Sequence, residues 1–217
     1  LKGKSGVVID SWLGNNAVVF GMNNTVPPLD KIEVRQAIAH GLNVDDIIET
    51  VFLNQAGVVV APGYMPEYYP GALNTWPYPH DSEKAKQLLE QAGVGDISFK
   101  LTYNSSIPVD EEIAILIRTE LAKIGIDVVL DKLSSAKFSE QYRARGVESL
   151  LLHDASWLPD GPYTVSLYFH TGDEGVANWI KYANPTVSDL LTQGLNTVDP
   201  SERARLAKQA HEIVIGE

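Results

Sequence analysis

Ile97-Ser98-Phe99-Lys100-Leu101-Thr102-Tyr103, then Pro108 through Lys123, then Ile126-Asp127-Val128-Val129-Leu130: this run decides the fold class. The first and last segments read as strands. The middle one places Ile113, Leu116, Ile117, Leu121 and, one turn on, Ile124 along one helical face, with Glu111 and Glu112 in the first turn where the helix dipole favours carboxylates. Gly125 stops it. Strands alternating with helices predict a layered α/β architecture with a mixed, partly parallel sheet flanked by helices.

The pattern continues on both sides. Upstream, Ala85, Leu88, Leu89 and Ala92 line a helix from Asp81 to the stop at Gly93. Downstream, Ser135 to Ala144 reads as a helix. Ser149 to Leu152 reads as a strand running into His153-Asp154-Ala155-Ser156-Trp157. A short helix is expected near Thr164 to Phe169, and two final helices present Val187, Leu190, Leu191 and Leu195, then Leu206, Ala207, Ala210, Ile213 and Val214. At the start, Val7 to Asp10 and Val18 to Met22 read as strands. Pro27-Pro28 marks a turn, a helix opens near Asp30 with Val34, Ala37, Ile38, Gly41 and Leu42 inward, and Asn43 caps another carrying Ile47, Ile48 and Val51. Residues 54–80 differ: five prolines with Tyr64, Tyr68, Tyr69, Trp76 and Tyr78 show no period, and fit either a functional loop or one wrapped over the chain's own core. With neither repeat nor linker, residues 1–217 read as a single α/β unit.

Composition narrows the function. The 217 residues are 44% hydrophobic, enough for a sizeable core. A formal charge of -11 repels phosphate backbones, so nucleic acid is not the expected partner. With no cysteine, disulfides, thiolate catalysis and Cys-based zinc sites are excluded. Gly3-Lys4-Ser5 lacks the upstream glycine of a phosphate loop, Gly93-Val94-Gly95 follows a helix, and no Gly-x-Ser-x-Gly elbow occurs, so no cofactor is expected. None of the five histidines pairs at the i, i+4 spacing of a helical metal site, and no metal is expected. Asp45-Asp46 and Glu111-Glu112 could be read as acid–base pairs, but both fit helix N-termini.

One constellation remains. Trp157-Leu158-Pro159-Asp160-Gly161-Pro162-Tyr163 follows a strand, and ligands of open α/β sheets bind beyond strand ends. Trp157 offers a flat apolar wall, and an ionised Asp160 can accept charge-assisted hydrogen bonds from an ammonium group. The same residues also fit a structural reading in which Trp157 closes the core and Asp160 makes a turn with Gly161.

Several stretches, in order, resemble the second lobe of the family-5 extracytoplasmic solute-binding proteins, the oligopeptide-, dipeptide- and nickel-binding components of bacterial ABC importers. They are Asn23 to Pro28 with Val34-Arg35-Gln36-Ala37-Ile38, the helix from Asp81 to Gly93, the Leu121 to Val128 join, the Trp157 to Pro162 loop, and Asp199-Pro200-Ser201-Glu202-Arg203. The resemblance implies one lobe of a type II periplasmic-binding-protein fold, preceded by another lobe and followed by further chain. It implies a monomer that is not an enzyme, periplasmic or held at the cell surface as a lipoprotein, binding a peptide or similar small solute between lobes and delivering it to a membrane permease. Ligand-binding residues would be Trp157, Asp160, Tyr163 and Asn23, with Asp160, three after Trp157, matching the aspartate that receives a peptide's ammonium. This chain departs from the pattern in a contracted Asp160-Gly161-Pro162, where many relatives carry a second aspartate further on. The rival readings are a hydrolase using scattered carboxylates, for which the sequence offers no nucleophile–base pair, and a scaffold that meets partner proteins through residues 54–80.

Overall fold

The computed structural model describes residues 16–54, 68–155, 158–172 and 175–217, with residues 6, 8, 10 and 65. The expected strand at Val7 to Asp10 lies largely outside the described residues, as do Tyr64 and Trp157.

Among the described residues four strands form one sheet: β1 (Asn16–Met22), β2 (Ile97–Asn104), β3 (Ile126–Leu133) and β4 (Ser149–Ala155), in the order β1-β4-β2-β3. β2 is parallel to β3 and to β4, while β1 runs antiparallel to β4 with Met22 opposite Ser149 and Asn16 opposite Ala155. The mixed sheet expected from the sequence is therefore present, and its parallel part is built by helical crossovers.

Helices α1 (Ile32–Gly41), α2 (Val44–Phe52), α3 (Ser82–Ala92) and α4 (Pro108–Ala122) belong to one side. Ile97, Phe99, Leu101 and Tyr103 of β2 and Ile126 and Val128 of β3 meet Val34, Ala85, Ile117 and Leu121 from three of these helices in the largest core cluster. Fully burying such an aliphatic side chain stabilises the fold by about 1.5–3 kcal/mol. The alternate residues Ser98, Lys100, Asp127 and Val129 are exposed, so period-two patterning holds through the first half of both strands. α2 contributes only half-buried residues, Ile47 and Val51 among them, to this layer.

The helices α5 (Ser135–Ala144), α6 (Gly161–Phe169), α7 (Pro185–Leu195) and α8 (Pro200–Gly216) follow the β3 and β4 strands. A second cluster joins Val165 and Phe169 of α6, Val187 and Leu191 of α7 and Ala210 of α8, with half-buried Val19 and Leu152 from the sheet. Met65 and Tyr69 are buried in it. The described part of residues 54–80 thus follows the wrapped-loop reading, with the Tyr78 hydroxyl donating to the Ile215 carbonyl at 2.6 Å.

Helix ends follow from side-chain chemistry. Asn43, Asp81, Asn184 and Asp199 each accept a backbone N–H from the first turn of the following helix. Gly93 takes the left-handed conformation that ends α3, φ 59°. α6 departs from the sequence reading by starting at Gly161, three residues before the expected Thr164. Gly161-Pro162 is its first turn, because a proline at the helix start gives up only an N–H with no helical partner.

Candidate functional site

The parallel strands β2, β3 and β4 end on one rim at Asn104, Leu133 and Ala155, and each leads within a few residues into a helix: α4, α5 and α6. This rim is where an open α/β sheet presents its ligand-binding loops. The loop singled out from the sequence, residues 156–160, leaves β4 here.

Asp160 is the N-cap of α6: its Oδ1 accepts the Tyr163 backbone N–H at 2.9 Å. The same carboxylate is forked by the Arg203 guanidinium, with Nη2 at 2.8 Å from Oδ1 and 2.7 Å from Oδ2, and Nε at 3.0 Å from Oδ2. The remaining guanidinium nitrogen of Arg203 donates to the carbonyls of Gly194 (2.6 Å), in the last turn of α7, and of Thr197 (2.7 Å), just past it. One arginine on α8 therefore holds the start of α6 and the end of α7. The geometry is the bidentate arrangement that gives arginine–carboxylate pairs their strength. Both Asp160 oxygens are engaged within the protein, so the carboxylate expected to meet an ammonium group also serves as cap and counter-ion.

Tyr163, half-buried, occupies the first turn of α6 beside Asp160. The turn is tightly seated, since a Cβ on Gly161 would collide with the Pro70 carbonyl oxygen and the Ala207 side chain. Asn23 is elsewhere. It follows β1 at the Ser149 end of β4, so the seven residues of β4 separate it from the loop that holds Asp160, roughly 20 Å at ordinary strand rise. It is 1% exposed, donates through Nδ2 to the Val147 carbonyl (3.0 Å), and accepts from the Thr25 N–H and hydroxyl. Asn23 thus lies away from Asp160 and Tyr163, and its bonds fix the turn that follows β1 against the entry to β4.

Sequence reasoning passed over other groups on the rim. Lys132 near the end of β3 donates to both oxygens of Glu111 on α4, at 2.9 and 2.7 Å. Ser135 donates to Asn104 at 3.0 Å. On β4, His153 Nε2 bonds Asp110 Oδ1; Asp110 is the third residue of α4 and 0% exposed. Its Oδ2 has no hydrogen-bond partner among the described residues. A dyad between residues 43 apart leaves no sequence periodicity to find it by.

A mostly apolar groove of about 200 Å³ runs along β1, lined by Phe20, Trp76, Tyr78, Trp179 and Tyr182 with Arg35. Burial holds the Arg35 guanidinium below its ordinary value, opposed in part by Glu217. Burial also pushes the Tyr182 phenol up, and its hydrogen bond to Glu217 (2.5 Å) acts the same way. Among the described residues no group of three or more His, Asp or Glu side chains is placed to hold a metal ion.

The profile of the bacterial extracellular solute-binding proteins, family 5 (middle), matches residues 1–175. The chain belongs to that family. Among curated family-5 relatives it is 25% identical over 203 residues to the glutathione-binding protein GsiB of Escherichia coli K12, covering 90% of this chain and 39% of that one. It is 27% identical over 220 residues to the probable D,D-dipeptide-binding periplasmic protein DdpA of the same strain, covering 99% and 42%. Among solved structures it resembles AgaA of A. tumefaciens R10 in complex with agropinic acid, with TM-score 0.84, 28% identity, and 93% and 42% of the two chains covered. It also resembles the periplasmic binding protein DppA of Helicobacter pylori in complex with the peptide STSA, with TM-score 0.83, 26% identity, and 94% and 42% covered. The chain thus spans about two-fifths of the length of these family-5 proteins.

Proposed function

We propose that residues 1–217 form one lobe of a solute-binding component of an ABC importer. It binds a peptide or a similar small solute between this lobe and another, and lobe closure presents the liganded form to a membrane permease. The observation that carries the reading is the family match over residues 1–175, which ends past the loop anchored by Asp160 and Arg203. In this reading Trp157 and Tyr163 supply apolar and polar surface to the solute from that loop. Asp160 fixes the loop through Arg203 and the α6 cap, and meets the solute's ammonium only by sharing a carboxylate already bonded on both oxygens. The protein acts outside the cytoplasm, as a monomer and without turnover.

Relatives named for glutathione and D,D-dipeptide, and solved structures in complex with the peptide STSA and with agropinic acid, support a small polar solute. The carboxylates that suggested a hydrolase have structural surroundings: Asp45 and Asp46 stand in the first turn of α2, and Glu111 is bonded to Lys132. Native mass spectrometry of the full-length protein tests the proposal. A discrete extra mass that disappears on denaturation establishes a bound solute. A bare chain that also gains no mass on titration with a peptide and opine library refutes the reading.

A further inference from the structure

Two aspartates stand at this rim in opposite electrostatic situations. Asp160 is neutralised by the Arg203 fork. Asp110 is 0% exposed, is bonded by His153 through Oδ1, and keeps Oδ2 without a hydrogen bond among the described residues. Burying a carboxylate with an oxygen left over is costly, and such a group is rarely retained without a use. The N-terminal dipole of α4 offsets part of that cost but satisfies no lone pair.

The imidazole carries the dyad to the surface. The His153 side chain is 35% exposed against 1% for Asp110. An ionised carboxylate only accepts, so Nε2 bears the proton donated to Asp110, and in the neutral ring Nδ1 is left with its lone pair. With the carboxylate ionised and the ring neutral, the dyad presents an acceptor backed by negative charge. It suits a donor that is itself positive, and the lysine near the end of β3, Lys132, is already bonded to Glu111.

We infer that His153 is a solute-contacting residue of this lobe, receiving a cationic amino group on Nδ1, and that Asp110 is the positioning residue behind it. The inference rests on the solute-binding reading above and places the amino-group contact at the end of β4 instead of on Asp160.

The test uses the full-length protein and a defined library of di- to pentapeptides, each with a free or an acetylated amino terminus, with affinities measured by titration. Wild-type protein should prefer the free amine. His153→Ala should weaken binding of free-amine peptides by roughly tenfold or more, leave acetylated peptides unchanged, and so erase the preference. Asp110→Asn should reproduce that loss by removing the charge behind the imidazole, with its thermal unfolding followed in parallel. Should Asp110→Asn fail to fold, exposed His153→Ala and His153→Gln carry the test, and Gln, whose carbonyl still accepts, should retain part of the preference. An unchanged preference in His153→Ala, or none in wild type, overturns this inference while peptide binding stands. No binding of any peptide by wild-type protein overturns the peptide reading and this inference with it.

Discussion

Replacing Arg203 by methionine removes the group that ties three helices together. The guanidinium makes three bonds to Asp160, at 2.7, 2.8 and 3.0 Å, and two short ones to the Gly194 and Thr197 carbonyls. Arg203 and Asp160 side chains are 21% and 30% exposed, between a buried pair and a surface pair. Breaking a buried pair from one side costs about 3–5 kcal/mol, and a surface pair is worth about 0–1, so about 2 kcal/mol is expected for the fork. The two carbonyls lose their donor but can rehydrate, adding about 1 kcal/mol. The total of about 3 kcal/mol corresponds to a drop of roughly 6–12 °C in Tm for a chain of this size. Urea unfolding followed by circular dichroism measures the loss, and Asp160→Asn with the double variant completes a cycle. Asparagine still caps the helix, so the coupling of about 1–2 kcal/mol isolates the charge pair. A loss below about 0.5 kcal/mol, or strict additivity, refutes the view that this pair holds the loop.

Three further outcomes can be checked on the same protein. Asn23→Ala removes a buried amide that donates to Val147 and accepts twice from Thr25; it should cost about 2–3 kcal/mol in urea unfolding and leave solute affinity unaltered once folded, since Asn23 lies away from the rim. Gly161→Ala presses a methyl group against the Pro70 carbonyl and Ala207; a loss of about 1–3 kcal/mol is expected, and unaltered stability would show that α6 is not seated as described. Burial raises the Tyr78 and Tyr182 phenols above their ordinary 10.0. The unfolded chain therefore releases these protons at lower pH than the native one, so stability is intact below pH about 10 and falls as pH rises beyond it. Spectrophotometric titration should find some of the nine tyrosines protonated until alkaline unfolding; all nine ionising together while the circular dichroism stays native would contradict this.

The elements legible in the sequence are those in which local chemistry and tertiary burial agree. β2, α4 and β3 follow because Phe99, Leu101, Ile117, Leu121 and Ile126 carry their period into one core. The cap at Asn43 is equally readable, since a short polar side chain before an apolar run satisfies orphan N–H groups there. The start of α6 was misplaced because Gly161-Pro162 signals a turn as well as a helix opening, and the choice is made by Arg203, 43 residues on. The burial of Asn23 against Val147 depends on a pairing 124 residues away, which no local pattern records. His153 and Asp110 carried no local signal at all.

The antiparallel pairing of β1 with β4 joins residues 16–22 to residues 149–155. As the chain leaves the ribosome, β1 emerges first and waits while the whole of β2, α4 and β3 is made before its partner exists. The segment from β2 to β3 can gather its own helix and strands early, whereas the outer strand is added only by a contact of very long sequence separation, of the kind that slows folding. The amide protons of β1 should therefore be among the last in the sheet to gain protection in pulsed hydrogen exchange during refolding. A chain that assembles its sheet from the middle outwards, and closes the edge last, stays open to threading for most of its synthesis.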